Sequence, residues 1–414
     1  MSGAVLALFE GYGIEIEYMI VDAETLRVRP IADTVLAERA GAQANEWENG
    51  EITWCNELAR HLLEFKTSGP APSLKGLPEA FQDNVSELNA QLEKHGARLL
   101  PGGMHPWMDP HAELELWPYG QREIYETYDR IFSCQGHGWA NLQSVQVNLP
   151  FSGDEEFARL HAAIRLVLPL LPSLAASTPF ADGRFHGWLD YRMEVYRHNS
   201  DRVPSVTGQV IPETVRDMAD YHRTILEPMY ADIAPLDPEG HLQEEWLNSR
   251  GAIARFDRMA IEIRVIDSQE CAAADIAVTE VASLLVRALV EESWSGLADQ
   301  QAVEQAPLVG NLLAAIREVE RAPVSGRAYL EQFGFLTGEV RADRLWGKLI
   351  EELSVRYGIS TASGRILEHI LRHGTLARRL LSAAGPVPDR EMLRRQYTRL
   401  ADCLAAGEMF GASA

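Results

Sequence analysis

The sequence predicts an α+β fold: one antiparallel sheet, helices over one of its faces, and a helical C-terminal quarter. Three observations carry this. Four short stretches (11–22, 61–67, 144–149 and 261–267) alternate apolar with polar residues, the period of a strand with two unlike faces. Between them run segments whose apolar residues step by three and four, the period of a helix buried on one side. From Ala306 onward only the helical period remains.

In the first strand Ile14, Ile16, Tyr18 and Ile20 oppose Glu15, Glu17, Met19 and Val21. Residues 24–29 then read as a turn and hairpin return, and Pro30 opens a helix through Ala32, Val35 and Leu36. Residues 52–55 read as a strand. The second alternating stretch sets Leu63 and Phe65 against Glu64 and Lys66, and 68–72 (Ser-Gly-Pro-Ala-Pro) ends it. Leu77, Phe81, Val85, Leu88 and Leu92 mark an amphipathic helix, and 97–100 a short strand. Residues 101–118, rich in Gly, Pro, His and Trp, read as a long loop of the kind that often carries function. A helix is expected over 121–132. In the third alternating strand Val145, Val147 and Leu149 oppose Gln146 and Asn148.

A helix over 154–171 follows, then a turn-rich loop from Ser177 that leads into Tyr191-Arg192-Met193. Residues 199–255 mix helix and loop. The fourth strand sets Ile261, Ile263 and Val265 against Glu262, Arg264 and Ile266. Helices are expected over 273–294, 307–321, 341–357, 361–383 and 389–406. The division expected is 1–300 as a catalytic domain and 301–414 as a helical extension packed on it.

The 414 residues suffice for a large core, and mean hydropathy is −0.16. Net charge −22 and a pI near 5.0 argue against a nucleic-acid partner or an anionic membrane surface. The four cysteines are far apart and form no Cys-x-x-Cys, so neither a disulfide framework nor a zinc ribbon is expected. No basic residue precedes the apolar run 4–9, so it does not read as a secretory signal, and a cytoplasmic location is expected. Arg165 with prolines, and Glu280 with Arg287, interrupt the longest apolar windows, so no membrane span is expected.

The sequence holds no phosphate-binding Gly-x-x-x-x-Gly-Lys loop, no Gly-x-Ser-x-Gly elbow and no His-Glu-x-x-His. His369 and His373, four apart on a helix, lack a third ligand and read as surface residues. His105, Trp107 and His111 form either a site loop or loop packing. Cys134 and Cys271 read as small buried hydrophobes.

The glutamates carry the chemistry. Glu15 and Glu17 fall on one strand face about 7 Å apart, and like charges so close need a positive partner. Glu64, Gln146 and Glu262 sit on the polar side of otherwise apolar strands, with Arg264 two residues beyond Glu262. Oxygen donors from four strands beside an arginine fit Mg²⁺ or Mn²⁺ with phosphate.

Six segments carry a resemblance. They are Gly13-Ile-Glu-Ile-Glu, Glu57-x-x-x-x-Leu-Leu-Glu-Phe-Lys-Thr, Gly103-Met-His-Pro-Trp, Gln146-Val-Asn, Ser177-Thr-Pro-Phe-Ala-Asp-Gly with Tyr191-Arg-Met, and Ile261-Glu-Ile-Arg-Val-Ile-Asp. In this order, over about residues 10–285, they resemble the glutamate–cysteine ligase family of the glutamine-synthetase-like carboxylate–amine ligases. The resemblance implies a sheet curved into a funnel, with metal and nucleotide on its concave face. It places Glu15, Glu17, Glu57, Glu64, Gln146 and Glu262 at metal-ligand positions. It places Arg264 at the transferred phosphoryl group and Arg192 at a substrate carboxylate. Gln146 departs from branches that carry His there. Lys66 is grouped with Arg264 on the nucleotide side; neither it nor His105 has a more definite role.

The implied reaction is ATP- and Mg²⁺-dependent. ATP converts a carboxylate, most simply the γ-carboxyl of glutamate, into an acyl phosphate that a small amine such as cysteine attacks. Metal ions and Arg264 offset the crowded negative charge, and no protein nucleophile is needed. The partners expected are small molecules, an amino-acid carboxylate and a small amine; oligomeric state is left open. The alternatives are the same ligation on another acid or amine, a metal-dependent hydrolase acting without nucleotide, and a nucleotide-binding protein without turnover.

Overall fold

The structure, a computed structural model, describes residues 5–411. Ala4, at the head of the apolar run noted above, lies outside them, as do the outermost residues of the 1–300 and 301–414 division.

Strand β1 (Gly13–Asp22) lies near the middle of an eight-stranded antiparallel sheet. The other strands are β2 (Glu46–Asn49), β3 (Ile52–Asn56), β4 (Leu62–Thr67), β5 (Ala97–Leu100) and β6 (Ser144–Pro150). Past the two-stranded ribbon β7 (Phe180–Ala181) and β8 (Arg184–Phe185) come β9 (Ala252–Arg255) and β10 (Ala260–Asp267). The spatial order is β2-β3-β4-β1-β6-β10-β9, with β5 also paired to β1. The register sets Glu17 opposite Glu64, and Glu15 opposite Lys66 on one side and Gln146 on the other. Segments distant in sequence thus bring their polar side chains to one face.

The apolar face, with Ile14, Ile16, Leu63, Phe65, Val145, Val147, Ile261 and Ile263, is buried in the main core. Helices α1 (Ala32–Ala40) and α2 (Leu77–Leu92) contribute to that core, and α2 does so through the five residues its spacing predicts. After α3 (Pro110–Glu113), α4 (Arg122–Phe132) and α5 (His137–Ala140) comes α6 (Gly153–Val167), which ends earlier than expected and passes through a 3₁₀ turn to α7 (Pro172–Ala175). Then come α8 (Tyr191–Tyr196), α9 (Met218–Tyr221), α10 (Glu227–Ile233) and the 19-residue α11 (Ala272–Val290), which packs on α2 and α6.

Beyond residue 290 lie α12 (Leu297–Ala302), α13 (Gln305–Glu318), α14 (Arg327–Glu331), α15 (Ala342–Tyr357), α16 (Thr361–His373), α17 (Leu376–Ala384) and α18 (Arg390–Ala406). Two expectations are corrected here. The helix expected over 361–383 is broken at Gly374, whose φ of +89° stops α16, and Thr375 caps α17 by accepting from the Arg378 amide. The region is also not purely helical: β11 (Pro323–Ser325) pairs with β12 (Glu339–Arg341), strands too short to show a period.

A third correction concerns β10. Ile263 pairs with Val147 but Ile266 pairs with Val145, so Arg264 and Val265 together oppose Gln146. This β-bulge inverts the facing of everything after it. Ile266 is thereby buried in the apolar core, not on the polar face, and Asp267 takes the inward place. No described helix is long and apolar enough to cross a membrane.

Candidate active site

The polar sides of β1, β4, β6 and β10 line a cavity of about 470 Å³. All nine residues singled out from the sequence border it: Glu15, Glu17, Glu57, Glu64, Lys66, Gln146, Arg192, Glu262 and Arg264. They do not form one undivided cluster. Carboxylate oxygens of Glu17, Glu57 and Glu64 lie within 4.8 Å of one another. Glu15 and Glu262 stand outside that trio and are engaged by arginines. Arg258 lies 3.4 Å from Glu15, while Arg255 at 3.3 Å and Arg264 at 3.0 Å flank Glu262.

Local bonds fix the trio. Glu17 accepts from the Ser144 amide at 2.6 Å and from its hydroxyl at 3.1 Å, which locks one carboxylate oxygen to the start of β6. The other oxygen accepts from Gln146 Nε2 at 3.1 Å. Gln146 thus turns its amide nitrogen toward Glu17 and acts here as a hydrogen-bond donor to the trio. Glu57 follows β3 directly, and Glu64 faces Cys55 across the β3–β4 pair.

Burial raises the pKa of all three carboxyls. Glu57 is pushed up to about 8 by burial, reinforced by the charges of Glu17 and Glu15. Glu64 lies well above the usual range for the same reasons, burial first and then Glu15 and Glu57. Glu17 is raised by burial, against the opposing pull of the Ser144 amide, Arg192 and Arg264. Like charges held together out of water retain protons unless a cation replaces them. The donor atoms are all carboxylate oxygens, the set that hard divalent cations take. Mg²⁺ or Mn²⁺ therefore fits Glu17, Glu57 and Glu64 on the chemistry of the donors.

Arg192, on the first turn of α8, is 2% exposed and forms an ion pair with Asp267 through Nε; its Nη2 donates to the Arg264 carbonyl at 3.3 Å. Asp267 is the main residue that sequence reasoning missed. It also accepts from the Ser177 amide at 2.7 Å and from the Ser177 and Thr178 hydroxyls, each at 3.1 Å. One buried carboxylate thus binds the turn-rich loop after Ser177 to the arginine at the cavity wall. Its inward aim comes from the bulge, and the only local sign is the consecutive apolar pair Val265-Ile266 before it.

Tyr125, Tyr128, Trp139 and Trp246 form a further wall that sequence reasoning also missed; Tyr128 lies 5.0 Å from Trp139 and 6.0 Å from Trp246 between ring centroids. It comes from α4, α5 and the segment before β9, where aromatic residues read as ordinary core. Residues 101–118, by contrast, do not border the cavity. His105 is buried, with Nε2 2.7 Å from the Leu26 carbonyl, and burial lowers its pKa to about 3. Trp107 packs on Tyr397 of α18. The loop-packing reading of His105 and Trp107 therefore holds, and their reading as a site loop is overturned. The rings of His369 and His373 on α16 lie 4.6 Å apart, tilted by 40°, and neither residue belongs to the one metal-compatible group among the described residues. Cys134 and Cys271 are buried.

The model of glutamate-cysteine ligase family 2 matches residues 12–399. An uncharacterized protein of Archaeoglobus fulgidus is 37% identical over 280 residues, covering 68% of this chain and 75% of that protein. The chloroplastic glutamate–cysteine ligase of Medicago truncatula is 26% identical over 135 residues, covering 32% of this chain and 26% of that protein. The crystal structure of glutamate–cysteine ligase from Francisella tularensis in complex with AMP superposes with a TM-score of 0.58 at 14% identity, covering 94% of this chain and 88% of that one.

Proposed function

The chain belongs to glutamate-cysteine ligase family 2, a family of ATP-dependent carboxylate–amine ligases, and from that premise we propose that it joins the γ-carboxyl of glutamate to a small amine in a reaction requiring ATP and Mg²⁺ or Mn²⁺. The observation that carries the reading is the convergence of Glu15, Glu17, Glu57, Glu64 and Glu262 with Arg192 and Arg264, from separate segments, on one cavity. A nucleotide in the Francisella protein, which shares the fold, is further support.

In this reading Glu17, Glu57 and Glu64 hold the metal, which when bound supplies positive charge to the phosphate oxygens. Arg264 is held by Glu262 at 3.0 Å and borders the cavity beside them. A guanidinium there meets the transferred phosphoryl group with paired, charge-assisted hydrogen bonds. Arg192, fixed by Asp267, orients the carboxylate of the acid substrate. The acid attacks the terminal phosphorus of ATP and ADP leaves. The amine then attacks the acyl phosphate and inorganic phosphate leaves, closing the amide. The aromatic wall limits water around the activated acid.

The test is an ADP-release assay with Mg²⁺, ATP, glutamate and a panel of small amines. Release that needs acid and amine together is expected. Phosphate release without amine would replace this reading with a hydrolase, and nucleotide binding without any turnover would replace it with a binding protein.

A further inference from the structure

Two arginines at the cavity come from the turn between β9 and β10 and its margin rather than from the inward face of the sheet. Arg255 ends β9, and Arg258 precedes Met259, whose φ of +51° closes the turn. Both reach back to site carboxylates: Arg258 to Glu15 at 3.4 Å, and Arg255 to Glu262 at 3.3 Å. Asp257 between them lies 3.2 Å from Arg255 and 3.8 Å from Arg258.

Arg258 differs from Arg264 in how firmly it is held, whereas Arg255, 13% exposed, is fixed between Glu262 and Asp257. Arg264 sits on the sheet, 3.0 Å from a Glu262 that is only 2% exposed. Arg258 is 49% exposed on a turn, and its bond to Glu15 is long. An exposed pair of that kind is weak and exchangeable, yet the positive charge has a purpose here. Glu15 stands in the field of Glu64 and Glu57, and without a nearby cation the crowd of carboxylates repels itself.

We propose that Arg258, with Arg255 beside it, is a placeholder cation that neutralises Glu15 while no divalent cation is bound and turns to the phosphates of the nucleotide when one is. The inference rests on the ligase reading, because it takes a nucleoside diphosphate or triphosphate as the ligand. A guanidinium suits both stations, pairing a carboxylate or a phosphate through the same fork of N–H donors. The exchange couples the two ligands. A cation held by Glu17, Glu57 and Glu64 would supply the charge that Arg258 gives their neighbour Glu15 and would free Arg258 for phosphate; phosphate drawing Arg258 away would leave the same crowd of carboxylates short of a cation. By linkage each ligand then strengthens the other.

The prediction is a pair of opposite signs in one variant. Mn²⁺ binding without nucleotide, and ADP binding at saturating Mn²⁺, are measured by calorimetry on the full chain, wild type and Arg258→Ala. Losing the placeholder should tighten Mn²⁺ alone roughly two- to fivefold, the worth of an exposed ion pair. Losing the phosphate contact should weaken ADP by about tenfold or more. Arg258→Lys should fall between wild type and Arg258→Ala on both readouts. A merely structural role moves both affinities down together and overturns the proposal, as does an unchanged value for either. A wild-type protein that binds no ADP in Mn²⁺ defeats the ligase reading itself. One that binds ADP, with an Arg258→Ala variant identical to it, defeats only this inference.

Discussion

The inward face of β1 carries Glu15, Glu17, Met19 and Val21 in succession, and the molecule treats the two halves of that row in opposite ways. Glu15 and Glu17 border the cavity among other carboxylates. Met19 and Val21, two and four residues beyond Glu17, are fully buried in a second apolar core with Leu62, Leu100 and side chains of α17 and α18. One strand face is thus a charged basin at one end and a dry floor at the other. The helices that complete the floor come from the last forty or so residues of the chain, and Arg379 of α17 fastens them by pairing with the buried Glu270 at 2.6 Å. The difference teaches that the C-terminal helices belong to the sheet: without them half of its inward face would stand open. It also shows why the acids sit where they do, since a carboxylate at Met19 would have neither water nor a cation.

The sharpest way to break the comparison is to damage the floor and look at the basin. Leu400→Ala removes a fully buried side chain from the second core and should cost about 2–5 kcal/mol in denaturant unfolding. Mn²⁺ affinity should stay within about twofold of wild type, since a 1.4 kcal/mol change in binding is already tenfold. Parallel loss of Mn²⁺ binding would mean that the two halves are one unit.

Damage to the basin should do the reverse. Glu64→Gln should lower Mn²⁺ affinity by about a hundredfold, close to 2.7 kcal/mol. The same change should raise the metal-free melting temperature, because a neutral amide replaces a buried carboxyl crowded by like charges. A lower melting temperature would show that the carboxylate stabilises the fold directly.

Arg192→Lys keeps a cation against Asp267 but loses the planar fork. It should raise KM for the acid about tenfold and leave KM for ATP nearly unchanged. Equal effects on both would move Arg192 out of the acid subsite.

The last prediction concerns pH. Glu57 is raised from the ordinary carboxylate range to about 8, so the folded, metal-free protein holds a proton that the unfolded chain has already released. More protons bound in the folded state means stability falls as pH rises from about 4.5 to about 8. The contribution of this group to the melting temperature is several degrees across that window, removed by saturating Mg²⁺. A melting temperature indifferent to pH in that window, with and without Mg²⁺, would contradict the protonated basin.

Much of the sheet was legible because alternation is a local signal: β1, β4, β6 and β10 each declare an apolar and a polar side within a few residues. The carboxylates followed from those polar sides and from the ordered motifs. What was not legible depends on partners across space. The bulge at Arg264 and Val265 is set by register against Gln146, so Asp267 could not be placed inward from its own strand. The aromatic wall is built from helices whose tyrosines and tryptophans look like any core. Residues 101–118 misled for the opposite reason: their His and Trp content is that of a site loop, while their surroundings, α18 above all, make them packing. Arg258 lies on a turn, with Arg255 at its margin, whose direction no periodicity reports.

The central claim is that oxygen donors from three separate segments form one cation site on the inward face of the sheet. Crystals grown with Mn²⁺ and ADP, measured at the manganese absorption edge, test it most directly. The account predicts an anomalous peak bounded by Glu17, Glu57 and Glu64. ADP bound with no such peak, or manganese held by other residues, would contradict it.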